Sequence, residues 1–158
     1  VRVVQAIVAP PVGVPLEPRA VAIHGIDGAR IASEGVPAAP FLRAFAGELR
    51  AARRAGKRVV AHNAAFDVAR MNETLRAHGV DDERVEADGM VCTMRAAKRH
   101  CGMRDRRGAP RYPKNEELYR VLTGRDASAD HGALHDAAAD ARVTACAFLE
   151  GRRRGWWT

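Results

Sequence analysis

Apolar positions along this chain follow two periods, one of about two residues and one of about 3.6. Val1, Val3, Val4, Ala6, Ile7 and Val8 read as a strand over Val1–Val8, and the Pro-rich stretch Pro10 to Pro18 reads as a turn. A short segment, Arg19 to Ile26, follows and ends in His24-Gly25-Ile26-Asp27. From Pro40, residues Phe41, Leu42, Phe45 and Leu49 recur at helical spacing up to a stop at Gly56, which predicts an amphipathic helix feeding a strand over Arg58–Ala61. The next helical pattern runs over Val68–His78, places Phe66, Met71 and Leu75 on one face, and stops near Gly79. After an acidic loop, Asp81 to Asp88, a short strand Met90-Val91-Cys92 is predicted, with Thr93 capping a helix through His100. Cys101 to Pro113 is rich in Gly, Arg and Pro and reads as a mobile loop. A helix from about Lys114 to Leu122 ends at Gly124. The last helix runs from about Asp136 to Arg153, turns Val143, Ala147 and Phe148 inward, and leads into a basic, apolar tail ending at Trp157. Strands alternating with helices indicate an α/β fold built on a central mixed sheet flanked by helices, without internal repeats.

Composition narrows the class. With 158 residues and 47% hydrophobic content, the chain is long enough for one globular domain with a sizeable core. No apolar run approaches the roughly 18 residues of a membrane span and no signal-peptide pattern is present, so the expectation is a soluble, cytoplasmic protein with no membrane partner. Cys92, Cys101 and Cys146 lack CxxC spacing, which argues against a disulfide framework or a zinc finger and for buried thiols. The formal charge of +7 is carried mostly by Arg, whose planar fork suits phosphate. A nucleic-acid partner fits that charge, and so does a composition rich in Ala and Arg with no particular partner. The arginines of the Cys101–Pro113 loop are candidates for phosphate contact, with plain solvation as the alternative. Aromatic residues make up 5% of the chain, so no base-stacking platform is evident.

Two clusters carry the chemistry. His62-Asn63-Ala64-Ala65-Phe66-Asp67 places a carboxylate at a strand-to-helix junction, and the segment from His131 through His135, Asp136 and Asp140 to Thr144 places others in the first turn of the last helix. Sequence-distant Asp residues and a His that converge suit metal-dependent phosphodiester hydrolysis, where hard divalent ions held by carboxylates activate water and offset charge on the phosphoryl group. A His one helical turn before the second Asp can serve as general base. Each piece has a plainer reading: Asp67 as a helix-start carboxylate, and His62 and Asn63 as loop residues that satisfy backbone groups. His131 and His135 are four apart, a spacing that also suits zinc, but no HExxH or nearby Cys supports it. The frames His131/Asp136 and His135/Asp140 both fit the cluster. Counting from Asp140, residues Val143, Thr144, Ala147, Phe148 and Leu149 form a coherent inner stripe, which favours His135 and Asp140; spacing from Gly124 keeps the other frame open.

These residues give the chain a resemblance to the DnaQ-like 3′-5′ exonucleases of the DEDDh class, the superfamily that includes the proofreading epsilon subunit of bacterial DNA polymerase III and ribonuclease T. His62 to Asp67 is similar to the second exonuclease motif, HNxxFD, and the 131 to 144 cluster to the third, HxAxxDxxxTA. Lesser matches are His24-Gly25-Ile26, Cys92-Thr93 and Leu118 to Gly124. The resemblance spans residues 1 to about 150. It implies a ribonuclease H-like fold and two Mg²⁺ or Mn²⁺ ions. Asp67 and Asp140 are then metal ligands and His135 the general base, with His62, Asn63 and Phe66 contacting substrate and His131 and Asp136 as the alternative pair. The implied substrate is the 3′ end of single-stranded DNA or RNA, and a DNA polymerase subunit is a possible partner. The family's first motif, an Asp-x-Glu on the first strand, is missing before the Val1–Val8 strand, and with it two of the four family carboxylates. The expectation is therefore an N-terminally truncated exonuclease-like domain over residues 1–154 with a tail at 155–158, inactive by itself. The alternative is a catalytically dead relative that binds nucleic acid or a polymerase.

Overall fold

In the computed structural model, which describes residues 4–132 and 136–157, the chain packs as two compact units. The first comprises Val1–Lys57 and Val68–Glu86, the second Arg58–Asp67 and Ala87–Thr158.

In the first unit, β1 (Ile7–Val8) pairs in parallel with β2 (Gly35–Val36), Ile7 opposite Gly35. Among the described residues the ladder is shorter than the predicted Val1–Val8 strand, of which residues 1–3 lie outside the described residues: its partner β2 is only two residues long, with the helix Gly28–Glu34 before it and Pro37, which has no N–H to continue a ladder, after it. Two short helices that periodicity left unassigned connect these strands. In α1 (Pro18–His24), proline takes the first turn, Glu17 accepts from Ala20 N at 3.0 Å, and Gly25 ends the helix in the left-handed region. In α2 (Gly28–Glu34), the Asp27 carboxylate accepts from Arg30 N at 2.9 Å. Then α3 (Ala38–Arg54) buries Leu42 and Ala46 against Leu75, Val80 and Val85; Leu75 comes from α4 (Ala64–Ala77). Burying a side chain such as Leu42 or Leu75 contributes about 2 kcal/mol. The acidic loop is tied down: Arg43, Arg50 and Arg53 of α3 pair with Asp82, Glu83 and Glu86, and both ends of the Asn72 carboxamide bond the backbone of Val85.

In the second unit, β3 (Val60–Ala61) and β4 (Val91–Cys92) pair in parallel, Val60 opposite Val91; β4 runs straight into α5 (Thr93–Cys101), and β3 leads through a turn at His62 and Asn63 into α4. The remaining helices are α6 (Asn115–Thr123), α7 (Ala127–His131) and α8 (Ala137–Arg153). Leu118 and Leu122 of α6, Ala97 of α5, and Ala147 and Phe148 of α8 close one core together with Trp157. The tail is thus structural at this point. Trp157 is 8% exposed, donates Nε1–H to Phe148 O at 2.9 Å, and lies flat over Gly151, where a Cβ would collide with the indole. Trp156 stacks on His100 with centroids 4.6 Å apart.

Three sequence expectations change. The predicted central mixed sheet is not a single ladder among the described residues: the strands form two separate two-stranded parallel pairs in an α/β chain. The stretch Cys101–Pro113 is a hydrogen-bonded hairpin: Arg104 bridges Pro110, Asp105 N donates to Ala109 O, and the Asp105 carboxylate accepts from Arg107 N and Ala109 N. The three cysteines are free and half-buried. No helix among the described residues is long and apolar enough to cross a membrane.

Candidate active site

Parallel pairing brings the ends of β3 and β4 to one level, so His62 and Thr93, the residues that follow them, become neighbours. The carboxyl ends of parallel strands are where an α/β unit gathers functional groups. His62 is half-buried there. Its Nε2 lies 3.1 Å from the Pro113 carbonyl, which can only accept, so Nε2 carries the proton. In the neutral ring Nδ1 is then an acceptor for the Thr93 hydroxyl, 3.0 Å away, and that hydroxyl's 3.4 Å contact with Ala61 O is secondary. Burial lowers the pKa of His62 and favours this neutral form, while the Pro113 carbonyl and the charges of Glu116 and Asp140 pull the other way. His62, an expected substrate contact, thus has both ring nitrogens engaged inside the protein. Thr93, expected as a helix cap, starts α5 without capping it, because its hydroxyl faces His62.

Asn63 makes the turn from β3 into α4 with φ of 69°, a positive value found among the described residues otherwise only at glycines. Asn tolerates this region better than other side chains, and its carbonyl accepts from Phe66 N at 2.8 Å. Helix α4 therefore starts at Ala64, earlier than its apolar period suggested. Phe66 is 59% exposed, not packed inward with Leu75 as expected. Asp67 stands in the first turn of α4 and reaches solvent, yet desolvation by the surrounding protein pushes its carboxyl above the usual range, against the opposing effect of its own backbone N–H.

The third cluster is held from α6. Asp140 lies in the first turn of α8, and its carbonyl accepts from the Asn115 carboxamide at 3.1 Å and from the buried Thr144 hydroxyl at 2.9 Å. Asp136 is the N-cap of α8, its carboxylate accepting from Ala139 N at 3.0 Å. His131 ends α7, its ring edge-on to Tyr119 at 5.3 Å, with Nε2 buried and without a hydrogen-bond partner among the described residues. His135 lies outside the described residues. The structure brings His62 and Asp140 into one electrostatic neighbourhood, together with Glu116 in the first turn of α6. Sequence reasoning passed over Asn115 and Glu116; the available signal was their place in a helix start just before the third cluster.

Asp67 and Asp140 are the hard oxygen donors that Mg²⁺ or Mn²⁺ takes. Among the described residues, which exclude His135, no three His, Cys, Asp or Glu side chains come together as a metal-binding group.

No curated protein and no solved structure matches the chain. The model of the exonuclease family, RNase_T, matches it over residues 3–144, a span that contains both His62–Asp67 and the cluster ending at Thr144. With nearly the whole chain covered, the protein belongs to the DnaQ-like and ribonuclease T exonuclease superfamily.

Proposed function

We propose that this domain is a 3′-5′ exonuclease domain that removes nucleotides from single-stranded DNA or RNA ends. Asp67 and Asp140 act as two of the carboxylates that hold Mg²⁺ or Mn²⁺, and His135 takes the proton from the attacking water. Asn63 and Phe66 contact the terminal nucleotides, and His62 positions the strand end through Thr93 and Pro113. The observation that supports this reading is the tie between the two motifs: His62 bonds the Pro113 carbonyl, and Asn115, two residues further on, bonds the Asp140 carbonyl. The choice of His135 and Asp140 over His131 and Asp136 rests on Asp136 being engaged as a helix cap and on His131 being packed against Tyr119.

Two carboxylates hold divalent ions less firmly than the four the family pattern implies, and those ions are what offset phosphoryl charge. Losing one such stabilising element costs on the order of 10²-fold in rate or more, so residues 1–158 alone are expected to be inactive. An extended version carrying an Asp-x-Glu strand ahead of Val1 should shorten 5′-labelled oligonucleotides stepwise with Mg²⁺ or Mn²⁺, and Asp67→Ala, Asp140→Ala or His135→Ala should each abolish that. An inert extended chain, or active variants, would sink the assignment. The second reading is a relative that binds nucleic acid or a polymerase without cleaving. It prevails if the extended chain binds oligonucleotides and leaves them intact.

A further inference from the structure

Two segments of this chain are strongly basic. Residues 93 to 113 hold seven Lys and Arg side chains (Arg95, Lys98, Arg99, Arg104, Arg106, Arg107, Arg111) against one acidic residue, Asp105, a net +6, and residues 43 to 58 hold six against Glu48, a net +5. The two differ in how their cations are answered. In the other unit, Arg43, Arg50 and Arg53 each meet a carboxylate. On this segment Arg111 pairs with Glu117, whereas Arg95, Arg99, Arg106 and Arg107 lie within ion-pair distance of no carboxylate among the described residues.

The segment is built to present these cations. Arg95, Lys98 and Arg99, spaced i, i+3 and i+4, share one face of α5. Beyond Gly102, the hairpin is held by the Asp105 carboxylate, by Arg104 donating to Gly108 O at 2.7 Å, and by the two-pronged Arg111–Glu117 pair, which leaves Arg106 and Arg107 exposed at its tip. Tyr112, 43% exposed, carries the Lys98 ammonium 4.6 Å above its ring. Both ends of the segment are fastened at the candidate site, since Thr93 bonds one ring nitrogen of His62 and Pro113 the other. A basic arm therefore leaves the site along α5, which rises about 14 Å over nine residues, turns, and returns to it.

We infer that residues 93–113 form a guide for the sugar-phosphate backbone of single-stranded nucleic acid, gripping the strand upstream of the end held at Asp67 and Asp140. This deepens the exonuclease reading and rests on it. Arg forks take phosphate oxygens in pairs, and such contacts fix the path of a strand without reading its bases. Each contact to a single strand contributes about 0.7 to the slope of log affinity against log salt concentration.

The test is fluorescence anisotropy of the 158-residue chain with labelled oligo(dT) and oligo(U) over a range of salt concentrations. Arg106→Ala with Arg107→Ala should flatten the salt slope by about 1.4 and weaken low-salt binding by about tenfold, with the melting temperature unchanged because both side chains are exposed. Arg95→Ala with Arg99→Ala should do the same from the helix face. Arg54→Ala with Lys57→Ala, exposed cations of the other unit, should leave binding as it was. Wild-type affinity and slope in both arm variants would overturn the inference, as would displacement of the oligonucleotide by polyglutamate at equal charge, which would make the arm a general anion surface. Binding is read here without cleavage. An extended chain that binds through the arm but never cuts would remove the exonuclease reading alone, and one that cuts while the arm variants bind normally would remove the guide alone.

Discussion

At the scale of single residues, the motifs combine structural and chemical duties, and the two can be separated. Asn63 turns β3 into α4 at positive φ, and a residue with a Cβ but no short polar group there costs about 1 kcal/mol or more. Glycine adopts that conformation freely and differs mainly in unfolded-state entropy. Asn63→Gly should therefore fold with a loss of about 1 kcal/mol at most and bind single-stranded oligonucleotide several-fold more weakly, because the carboxamide is gone. Asn63→Ala should lose both stability and binding. Thermal melts paired with anisotropy check this, and full binding by the glycine variant would reduce Asn63 to a turn residue. Asp67 shows the opposite compromise: its carboxylate is partly stripped of water, and so unfavourable to the fold when ionised, a cost that the proposed cation would offset.

At the scale of elements, helices with apolar faces were legible and the irregular segments were not. Leu42 and Leu49 announced α3, and Val143, Ala147 and Phe148 announced α8, because burial repeats at the helical period. The His62–Asp67 and 131–144 motifs were legible because their residue types and spacing carry chemistry. The short helices α1, α2 and α7 depend on caps from Glu17, Asp27 and Asp126 and bury little, so periodicity passed over them. The hairpin after α5 was hidden for another reason: its order comes from Asp105 and from a Glu117 that lies in the next helix. Arg111 draws the pKa of Glu117 down from 4.5 to about 2, with help from the Lys114 N–H. Because the folded-state pKa is depressed, this contribution is fully present above about pH 4.5 and is lost as pH falls towards 2. Glu117→Gln should cost about 1 kcal/mol at neutral pH, and the gap between variant and wild type should close over that window. A gap that persists at the acid end would assign the effect to packing.

At the scale of the whole molecule, the proposed metal site draws on carboxylates from both motifs. The family match covers residues 3–144, and within them the described carboxylates of the two motifs are Asp67, Asp136 and Asp140, of which Asp136 is engaged as a cap. A cation held by two carboxylates and water binds weakly, and a ligand at its own dissociation constant stabilises a protein by only RT ln 2, about 0.4 kcal/mol. For a chain of this length that is a rise of about 1–2 °C in melting temperature. Residues 1–158 should therefore melt within about that margin with and without millimolar Mg²⁺ or Mn²⁺, whereas a chain extended by the Asp-x-Glu strand should show a several-fold larger shift, abolished by Asp67→Asn and reversed by a chelator. Calorimetry at matched ionic strength separates this effect from screening of the basic arm, since Na⁺ at equal ionic strength screens equally. A large metal-specific shift in the 158-residue chain, lost in Asp67→Asn and Asp140→Asn, would mean that these carboxylates with His135 already form a complete site, and the need for a further strand would fall with it.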